Sequence, residues 1–443
     1  MGEIAIDNQI QEMERIFRLQ KKSQWKLKNT TAKERIELLK KLRNSLENNR
    51  EEIDEALLKD LGRPKTSSEL EGVFKKIDHT IEHLEEWMKP EIHSHSQIKT
   101  ATYYIHYEPR GVCLLLGAWN VPVDLVFSPL IALISAGNTV IAKPSELVPN
   151  CSKVIARVIK DTFDEEVVAV IEGDAHVATE LQELPFDHIF FTGSPNIGRM
   201  VMKAAAKHLT SVTLELGGCN PLILDETANI QSVAQGIGVS KTYNSGQVCL
   251  SVNYVYAPKS KVNDLIQELS NFYTTNFYEN NHYQADRVGK IVNEKNFDRV
   301  VGYISDAIDK GAEVVFGGGY DRTALTIEPT ILKNVPLDSQ LIENEIFAPI
   351  IPIVTYDDLN EVIDHVNAGG KPLGMYIFSN NQEFIDKILN NTSCGGVTLN
   401  SWALHGSEHN LPFGGVNESG MGSYHGIHGF KELSHAKSIF KTY

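Results

Sequence analysis

A cysteine, Cys249, ends a short stretch of small and polar residues in the middle of the chain. The stretch reads YNSGQVC over residues 243–249, and an apolar, strand-like run follows it at 252–257. A catalytic thiol needs backbone N–H groups nearby, because the thiolate is the nucleophile and the oxyanion formed on attack must be held. Residues 233–242 have a helical pattern that would support the stretch. By itself, the pattern also fits a buried cysteine that acts as a small apolar side chain.

Four predicted strands end in residues that could bind a nucleotide. The strand ends read GAWN at 117–120, KPSE at 143–146, FTGSPNIG at 191–198 and LELGG at 214–218. Taken singly, each of them also fits an ordinary turn, a surface ion pair or a solvated strand end. Ligands of a parallel sheet bind beyond the carboxyl ends of its strands. Four such ends at one edge therefore favour a dinucleotide site.

Each of these strand ends offers a different chemical group. Lys143 and Glu146 suit a ribose, because a cation and a carboxylate can bond the sugar hydroxyls. The Gly-Ser turn at 193–194 precedes a predicted helix, whose unpaired N–H groups and dipole favour a phosphate. This turn is not the G-x-G-x-x-G fingerprint and is a weak signal alone. Asn120 and Glu215 add an amide and a carboxylate at the same edge.

The composition is that of an ordinary globular protein. The chain has 443 residues, of which 42% are hydrophobic and 22% are charged. This length is enough for two or three domains. The 42 Lys and Arg residues stand against 57 Asp and Glu residues, which gives a net charge of −15. Such a charge argues against nucleic acid or an anionic membrane as the main partner.

The sequence also indicates where the protein is located. No run of about 18 apolar residues is present, and the N-terminus MGEIAIDNQI lacks the pattern of a secretory signal. The cysteines are odd in number and have no paired spacing, which predicts neither a disulfide framework nor a zinc site; they are Cys113, Cys151, Cys219, Cys249 and Cys394. We expect a cytoplasmic protein with free thiols, no bound metal and no membrane span.

The order of the predicted elements indicates an α/β fold. Residues 8–90 have a helical pattern, and between 111 and 216 five apolar strands alternate with helices. Alternation of this kind is typical of a parallel sheet covered on both faces. A second α/β region begins at 217, with predicted helices near 228–243, 260–277 and 296–310 and predicted strands at 252–257, 313–316 and 350–354.

Two strand-like segments stand apart from these regions. The segment TATYYIHY at 100–107 is β-branched and aromatic, and residues 438–441 alternate between apolar and polar types. We expect the two segments to pair with each other, within one subunit or between subunits.

The motifs occur in an order that resembles a known family. GAWN, KPSE, FTGSPNIG, LELGG, NSGQVC, ENEIFAP and LPFGGVNESGMGSYHG follow one another as in the aldehyde dehydrogenase superfamily. The resemblance runs from about residue 30 to the end, and Cys249 follows Glu215 by the family's spacing of 34 residues. The short N-terminus and the closing motif resemble the class 3 branch, which acts on fatty and aromatic aldehydes.

The resemblance implies a role for each matching residue. Cys249 would be the nucleophile, Asn120 and the backbone N–H of Cys249 the oxyanion hole, and Glu215 the general base that activates water. Cofactor contacts are implied for Trp119, Lys143, Ser145, Glu146, Gly193, Ser194, Gly198, Leu216, Glu345 and Phe347. Three further positions are assigned to the substrate pocket: Asn400, Phe413 and His425.

The resemblance also implies the reaction and the architecture. We expect NAD(P)-dependent oxidation of an aldehyde to the carboxylic acid through a thiohemiacetal and a thioacyl intermediate on Cys249. NAD is the expected cofactor with NADP as the alternative, a small-molecule aldehyde is the expected substrate, and a homodimer the expected assembly. The predicted parts are a Rossmann-like NAD(P)-binding domain at 1–98 and 110–216, an α/β catalytic domain at 217–430, and a small β oligomerisation element at 99–109 and 431–443.

Three departures from the family pattern concern the same site. Cys219 stands where the family usually has Lys, and Ala348 stands where it usually has Gly. Asn417 and Glu418 replace a Gly and a small polar residue. The methyl group of Ala348 bears on the position of Glu345, which lies earlier on the same run.

Two alternative functions follow from the residues. One is a nucleotide-binding homologue with impaired catalysis, which the retention of Cys249, Glu215 and Asn120 disfavours. The other is an acylating, CoA-dependent dehydrogenase. Retention of Glu215 counts against it, because the resemblance implies that acylating members tend to lack that base. Aliphatic, aromatic and polyene aldehydes all fit the resemblance as substrates.

Overall fold

The computed structural model describes residues 2–65, 69–93, 98 and 101–442. Some predicted features lie outside the described residues: Thr100 at the start of a predicted strand, residues 94–97 and 99 around a predicted domain boundary, and the two terminal residues. The helices span Gly2–Lys28, Ala32–Asn48, Arg50–Leu61, Leu70–Trp87, Asp124–Ala136, Pro149–Thr162, Ala175–Gln182, Pro195–Ala205, Ile230–Thr242, Lys259–Phe277, Glu294–Asp309, Gln340–Glu343, Leu359–Ala368, Gln382–Asn391, Leu404–Ser407 and Gly426–Glu432.

The first sheet has six strands among the described residues. In spatial order they are Gly420–Met421, Ser211–Glu215, His188–Thr192, Val112–Leu116, Thr139–Lys143 and Val168–Val170. The last five are parallel, as the sequence predicts for the region 111–216. The strand Gly420–Met421 pairs antiparallel with Leu214 and Glu215. This strand thus joins the first sheet through long-range backbone pairing. The sequence predicts that residues 217–430 belong to the other domain. The domain boundaries stay a prediction.

The interior of the first sheet explains its apolar sequence. Four of its strands are buried at every position: Val112–Leu116, Thr139–Lys143, Val168–Val170 and His188–Thr192. A strand covered on both faces must be apolar throughout. The polar exceptions stand at strand ends: His188, Thr139, Lys143 and Thr192. The ring nitrogens of His188 lie 2.8 Å from Ser211 Oγ and 3.1 Å from Thr213 Oγ1. Burial lowers the pKa of His188 to about 3, so its ring is neutral.

The ends of the parallel strands are aligned. Leu116 pairs with Lys143 on one side and with Phe191 on the other. Thr192 pairs in turn with Glu215. Because the side-chain period of a strand is two residues, this register fixes which face each end residue points to. The residues that follow these strands therefore meet at one edge of the sheet.

A buried helix supports that edge. Residues 125–136 of the helix Asp124–Ala136 are all buried. The helix contacts two strands of the first sheet on one side and the helices Ala32–Asn48 and Leu70–Trp87 on the other. It begins just after Asn120, so its first turn helps to fix the turn that carries this residue.

The second sheet has seven strands among the described residues. In spatial order they are Glu313–Phe316, Thr330–Lys333, Ile350–Tyr356, Tyr254–Pro258, Pro221–Leu224, Gly374–Phe378 and Gly396–Leu399. The last six are parallel, and Glu313–Phe316 is antiparallel to its neighbour. The predicted strands at 252–257, 313–316 and 350–354 are confirmed within two residues. The helices predicted near 228–243, 260–277 and 296–310 are present as well.

A third sheet joins the two segments that stood apart in the sequence. Ala101–Pro109 pairs antiparallel with Ser434–Thr442, with Ile105 opposite Ser438. Glu91–His93 pairs with the other side of Ala101–Pro109. The predicted pairing is confirmed, and it occurs within one chain. Two short hairpins complete the strands: Tyr278–Glu279 with His282–Tyr283, and Tyr320–Asp321 with Thr326–Ile327.

Candidate active site

A cavity of about 1040 Å³ lies where the strands of the first sheet end. Residues of the second α/β region complete its wall. It brings together most of the residues singled out in the sequence: Trp119, Asn120, Lys143, Ser145, Glu146, Gly193, Ser194, Glu215, Leu216, Cys249, Glu345, Phe347 and Phe413. Residues far apart in the chain thus share one space of the size that small-molecule sites have.

The segment before Cys249 has an unusual backbone. After the helix Ile230–Thr242, the residues Asn244, Ser245 and Gly246 all have positive φ, at 51°, 53° and 70°. A Cβ atom on Gly246 would lie 2.5 Å from the carbonyl oxygen of Ala348, so this position requires glycine. This close approach packs the segment against the loop that carries Glu345 and Phe347.

Side chains hold the segment in this conformation. Ser245 Oγ donates to the carbonyl of Gly289 at 2.8 Å. Gln247 Nε2 donates to the carbonyl of Lys290 at 2.9 Å, and its Oε1 accepts from the N–H of Val292 at 3.1 Å. Buried polar groups with several partners are rigid. The polar residues of the YNSGQVC stretch therefore fix the loop rather than bind a ligand.

Asn120 contacts the cysteine loop directly. Its Nδ2 donates to the carbonyl of Gln247 at 3.1 Å, and its own carbonyl accepts from Asn244 Nδ2 at 2.7 Å. Asn120 is 5% exposed. An amide nitrogen carries two hydrogens, so a second N–H can donate to a group in the cavity.

Burial and charge hold the Cys249 thiol in its protonated form. Burial, followed by the carboxylates of Glu345 and Glu215, raises the pKa of Cys249 to about 12. The backbone N–H groups of Leu250 and Cys249 oppose this rise, because they favour the thiolate. The same N–H groups can receive an anionic oxygen that forms beside the sulfur.

Glu215 is a buried carboxyl group without a hydrogen-bond partner among the described residues. Both of its oxygens are unpaired, and the residue is 3% exposed. Burial and then the charge of Glu432 raise its pKa well above the usual range. A carboxyl with a raised pKa can exchange a proton near neutral pH, which suits an acid–base catalyst.

Glu345 lies against the two glycines that follow Glu215 and Leu216. Its Oε1 accepts from the N–H of Gly218 at 3.3 Å, and a Cβ atom on Gly217 would lie 2.3 Å from that oxygen. Burial raises the pKa of Glu345 to about 7. Arg299 donates to the backbone carbonyl of Glu345 at 3.1 Å and so helps to hold the loop.

Phe347 contacts Trp119 on the opposite wall. The two rings meet edge to face, with their centres 5.5 Å apart. Phe347 has a φ of 53°, which is unusual for a bulky residue and marks a tightly determined turn. The next residue, Ala348, is fully buried, so its extra methyl group is accommodated inside the core of the second sheet.

The other end of the cavity offers groups for a nucleotide. Lys143 Nζ donates to Glu146 Oε2 at 2.9 Å, and Lys143 is 4% exposed. Ser194 caps the helix Pro195–Ala205, because its side chain accepts from the N–H of Ile197. A Cβ atom on Gly193 would meet the ring of Phe191 at 2.4 Å, so the turn must be narrow. These residues fit the ribose and phosphates of NAD(P).

Gly198 and Asn400 are not among the residues that line the cavity. A Cβ atom on Gly198 would lie 3.0 Å from Leu216 Cδ2, so the glycine allows the helix to pack on that side chain. Asn400 makes two hydrogen bonds with the backbone of Ser379, at 2.9 and 3.0 Å. Both residues therefore act through packing or backbone contacts in this structure.

His425 also lies beside the cavity rather than on its wall. Its ring stacks on Phe413, with centres 5.0 Å apart, and Phe413 lines the cavity. His425 borders a separate space of about 20 Å³ together with Lys76 and His409. Burial lowers the pKa of His425 well below the usual range, so the ring is neutral.

The sequence analysis missed two buried polar residues. Asn220 donates to the carbonyls of Cys249 at 2.7 Å and Ser251 at 2.9 Å, and accepts from the N–H of Gly374 at 2.8 Å. Lys241 Nζ donates to the carbonyl of Ala348 at 3.4 Å, and burial lowers the pKa of Lys241 to about 7. The available signal for Asn220 was a polar residue directly before the apolar run PLIL, whereas Lys241 stands among other polar residues and left no signal.

Two of the remaining departures from the family pattern line the cavity, and the third is the neighbour of one of them. Cys219 lines it, and burial together with the charge of Glu345 raises the pKa of this thiol to about 12. Glu418 lines it as well and forms an ion pair with Arg199 of the helix Pro195–Ala205. Asn417 accepts from Lys371 Nζ at 2.9 Å.

Neither a metal-binding cluster nor a membrane-spanning helix occurs among the described residues. No group of three or more His, Cys, Asp or Glu side chains among them could hold a metal ion. In the same part of the chain, no helix is both long enough and apolar enough to cross a membrane.

The comparison with protein families matches residues 4–439 to the model described as the aldehyde dehydrogenase family. This chain belongs to that family. NAD(P)-dependent oxidation of an aldehyde is the reaction of the family, and the protein is an oxidoreductase that acts on aldehydes. The predicted family, its class 3 branch, the fold class, the reaction and the use of NAD(P) are confirmed.

Several relatives of this aldehyde dehydrogenase resemble it over nearly their whole length. The protein AldX of Bacillus subtilis (strain 168) is 46% identical over 433 residues, which cover 97% of each chain. The enzyme of Rattus norvegicus named aldehyde dehydrogenase, dimeric NADP-preferring, is 39% identical over 91% of this chain and 89% of its own. The structure of substrate-bound AldH from Staphylococcus aureus has a TM-score of 0.93 at 38% identity, and covers 97% of this chain and 94% of that one.

The protonated thiol and carboxyl predict a pH dependence. A thiol must lose a proton before it attacks a carbonyl, and a carboxyl must lose one before it accepts a proton from water; these are the roles predicted for Cys249 and Glu215. Because burial raises the pKa of both groups, we expect kcat/KM to rise as the pH increases from neutral into the alkaline range. Steady-state NADH formation over a pH series measures this. A rate that falls steadily over that range would contradict the assignment.

Proposed function

We propose that this aldehyde dehydrogenase uses Cys249 as the nucleophile, Asn120 as an oxyanion donor and Glu215 as the general base. The proposal is supported above all by one observation: the three side chains line the same cavity, and Asn120 bonds the loop that carries Cys249. The substrate is an aldehyde with an apolar tail, since the apolar side chains of Phe413 and Tyr424 line that cavity as well.

The first step joins the thiol to the substrate. Cys249 loses its proton to solvent, and the sulfur forms a bond to the carbonyl carbon while the C=O electron pair moves to the oxygen. The second N–H of the Asn120 amide and the backbone N–H of Cys249 donate to this oxyanion. Donors that are already in place lower the barrier because they need no reorganisation during the reaction.

NAD(P) would lie along the other end of the cavity. Lys143 and Glu146 would hold the adenine ribose, the turn at Ser194 the pyrophosphate, and Glu345 with Phe347 the nicotinamide end. The cofactor held by these residues would supply the hydride acceptor, and Cys249 would then carry the oxidised carbon as a thioester.

The last step releases the acid. Glu215 takes a proton from a water molecule, whose oxygen attacks the thioester carbon. The C–S bond then breaks, and the carboxylic acid and the Cys249 thiolate separate. The unpaired oxygens of Glu215 support this role, because a carboxylate without other partners is free to bond a water.

Two substitutions separate the steps. Cys249→Ala should bind cofactor normally and lose nearly all turnover, because acylation needs the sulfur. Glu215→Gln should keep a rapid burst of NADH and then turn over slowly, with an acyl adduct on Cys249. Stopped-flow absorbance and intact-protein mass spectrometry, with aldehydes of increasing chain length and aromatic aldehydes, measure both effects. Substantial turnover in pure Cys249→Ala, or loss of the burst in Glu215→Gln, would refute these catalytic roles.

We expect NAD to be preferred over NADP. Glu146 lines the cavity beside Lys143, and its charge would bond the ribose hydroxyls and repel a 2′-phosphate. Glu146→Gln should therefore raise the ratio of kcat/KM for NADP to that for NAD. Glu343→Gln removes the same charge elsewhere on the cavity wall and serves as the control. A wild-type preference for NADP, or equal ratios in both variants, would contradict this assignment.

The homodimer and the cytoplasmic location also belong to the proposal. Ser434–Thr442 is an end strand of the third sheet and Gly396–Leu399 an end strand of the second, and each carries an exposed apolar residue, Phe440 and Leu399. End strands present unpaired N–H and C=O groups that invite pairing with another chain. The five cysteines are free, which is typical of a reducing compartment.

Light scattering coupled to gel filtration tests the assembly. We expect twice the chain mass of 49.4 kDa. Phe440→Asp should shift the protein toward the monomer, because a charge would be buried at the joined strands. Trp25→Asp alters another exposed aromatic residue, on the first helix, and should leave the mass unchanged. A monomeric wild type would refute the dimer.

A further inference from the structure

An ion pair that the proposed mechanism does not use lies next to the active site. The side chains of Arg63 and Glu69 contact each other and are both 0% exposed. Removing two charges from water is costly, and a buried pair is often no more stabilising than apolar residues of the same size. The position of this pair relative to the site suggests a role other than stability.

Glu69 holds the segment that carries Asn120. Its Oε2 accepts hydrogen bonds from the backbone N–H groups of Val123 and Asp124, both at 2.8 Å. These two residues open the buried helix Asp124–Ala136, three and four residues after Asn120. Lys76 strengthens the same corner, since its Nζ donates to the carboxylate of Asp124 at 2.7 and 2.9 Å.

Arg63 holds the segment that carries Cys249. Its Nη2 donates to the hydroxyl of Tyr243 at 2.9 Å, and its guanidinium lies 5.0 Å from the centre of the Tyr243 ring. Tyr243 directly precedes Asn244, where the left-handed turn toward Cys249 begins. The guanidinium of Arg63 therefore contacts both the carboxylate of Glu69 and Tyr243, where the segment that carries Cys249 begins.

The two segments also contact each other at the site. Asn244 Nδ2 donates to the carbonyl of Asn120 at 2.7 Å, and Asn120 Nδ2 donates to the carbonyl of Gln247 at 3.1 Å. Together with the ion pair, these bonds form a closed ring of contacts that passes through both segments.

We propose that the Arg63–Glu69 ion pair is a positioning device that sets the spacing between the two donors of the oxyanion hole, the Asn120 amide and the backbone N–H of Cys249. This inference rests on the proposed roles of Asn120 and Cys249. Charged hydrogen bonds are shorter and more directional than apolar contacts. A ring of them fixes the separation of two backbone segments more tightly than apolar packing does.

Tyr243→Phe is the mildest test, because it removes a single hydroxyl group. Two reactions of the same thiol are compared. Acylation of Cys249 by 4-nitrophenyl acetate passes through a tetrahedral oxyanion, and 4-nitrophenolate leaves. Alkylation by iodoacetamide forms a C–S bond and expels iodide at a saturated carbon, so no oxyanion forms. A positioning role predicts that acylation slows by about 10-fold or more, since a misplacement of about 1 Å can cost 100-fold, while alkylation stays within about 2-fold of wild type.

Glu69→Gln is the second variant, with the same expected pattern and a larger loss of acylation. NAD affinity should be unchanged in both variants, because the ion pair is not among the residues that line the cavity. Tyr356→Phe is the matched control: its hydroxyl donates to the carbonyl of Leu224 at 2.8 Å in the second α/β region. Both of its rates should equal those of the wild type. Circular dichroism verifies that each variant is folded.

Asn120→Ala separates failure of this inference from failure of the proposed function. It should lose acylation and keep alkylation, since it removes one donor. If Asn120→Ala acylates at the wild-type rate, the proposed oxyanion role is wrong and the inference falls with it. If Asn120→Ala behaves as expected but Tyr243→Phe acylates like Tyr356→Phe, only the positioning role is overturned. A Tyr243→Phe protein that loses both reactions equally also overturns it. If Glu69→Gln does not fold, Tyr243→Phe decides alone.

Discussion

Backbone pairing in the first sheet determines where every group at its edge lies. Leu116 pairs with Lys143 on one neighbouring strand and with Phe191 on the other. The N–H of Gly117 continues this pairing and donates to the carbonyl of Lys143 at 3.0 Å. The N–H of Gly193 does the same with the carbonyl of Glu215 at 3.0 Å. A shift of one residue in any strand would turn its side chains to the opposite face. The groups at this edge that we propose for catalysis and for nucleotide binding are therefore held by one hydrogen-bonded ladder.

Burial gives the cavity its chemistry. The pKa values of Glu345 and Lys241 both move to about 7, from opposite directions, because low exposure disfavours the charged form of each group. Burial also raises the pKa values of the Cys249 thiol and the Glu215 carboxyl, which favours the neutral form of each group. If water filled the site, the same carboxyl and amino groups would keep their ordinary pKa values and stay charged near neutral pH.

Local sequence signals predicted the parts of the fold that depend on local patterns. Continuous apolar runs marked the buried strands, and the turn residues after them marked the cavity edge. Apart from the pairing of Ala101–Pro109 with Ser434–Thr442, the contacts between distant segments discussed here left no such signal. The strand Gly420–Met421 joins the first sheet, and Glu69 bonds the backbone at Val123. Asn400 sits in a matching motif but bonds the backbone of Ser379, because its φ of 53° turns it there.

His188 lowers the stability of the folded protein in acid. Its ring nitrogens accept and donate only within the sheet, and burial depresses its pKa from 6.5 to about 3. The unfolded chain binds a proton at this residue below about pH 6.5, whereas the folded chain does not. Each further pH unit down to about 3 therefore lowers the free energy of unfolding by about 1.4 kcal/mol. The residue that completes the hydrogen bonding between two central strands thus makes the protein sensitive to acid.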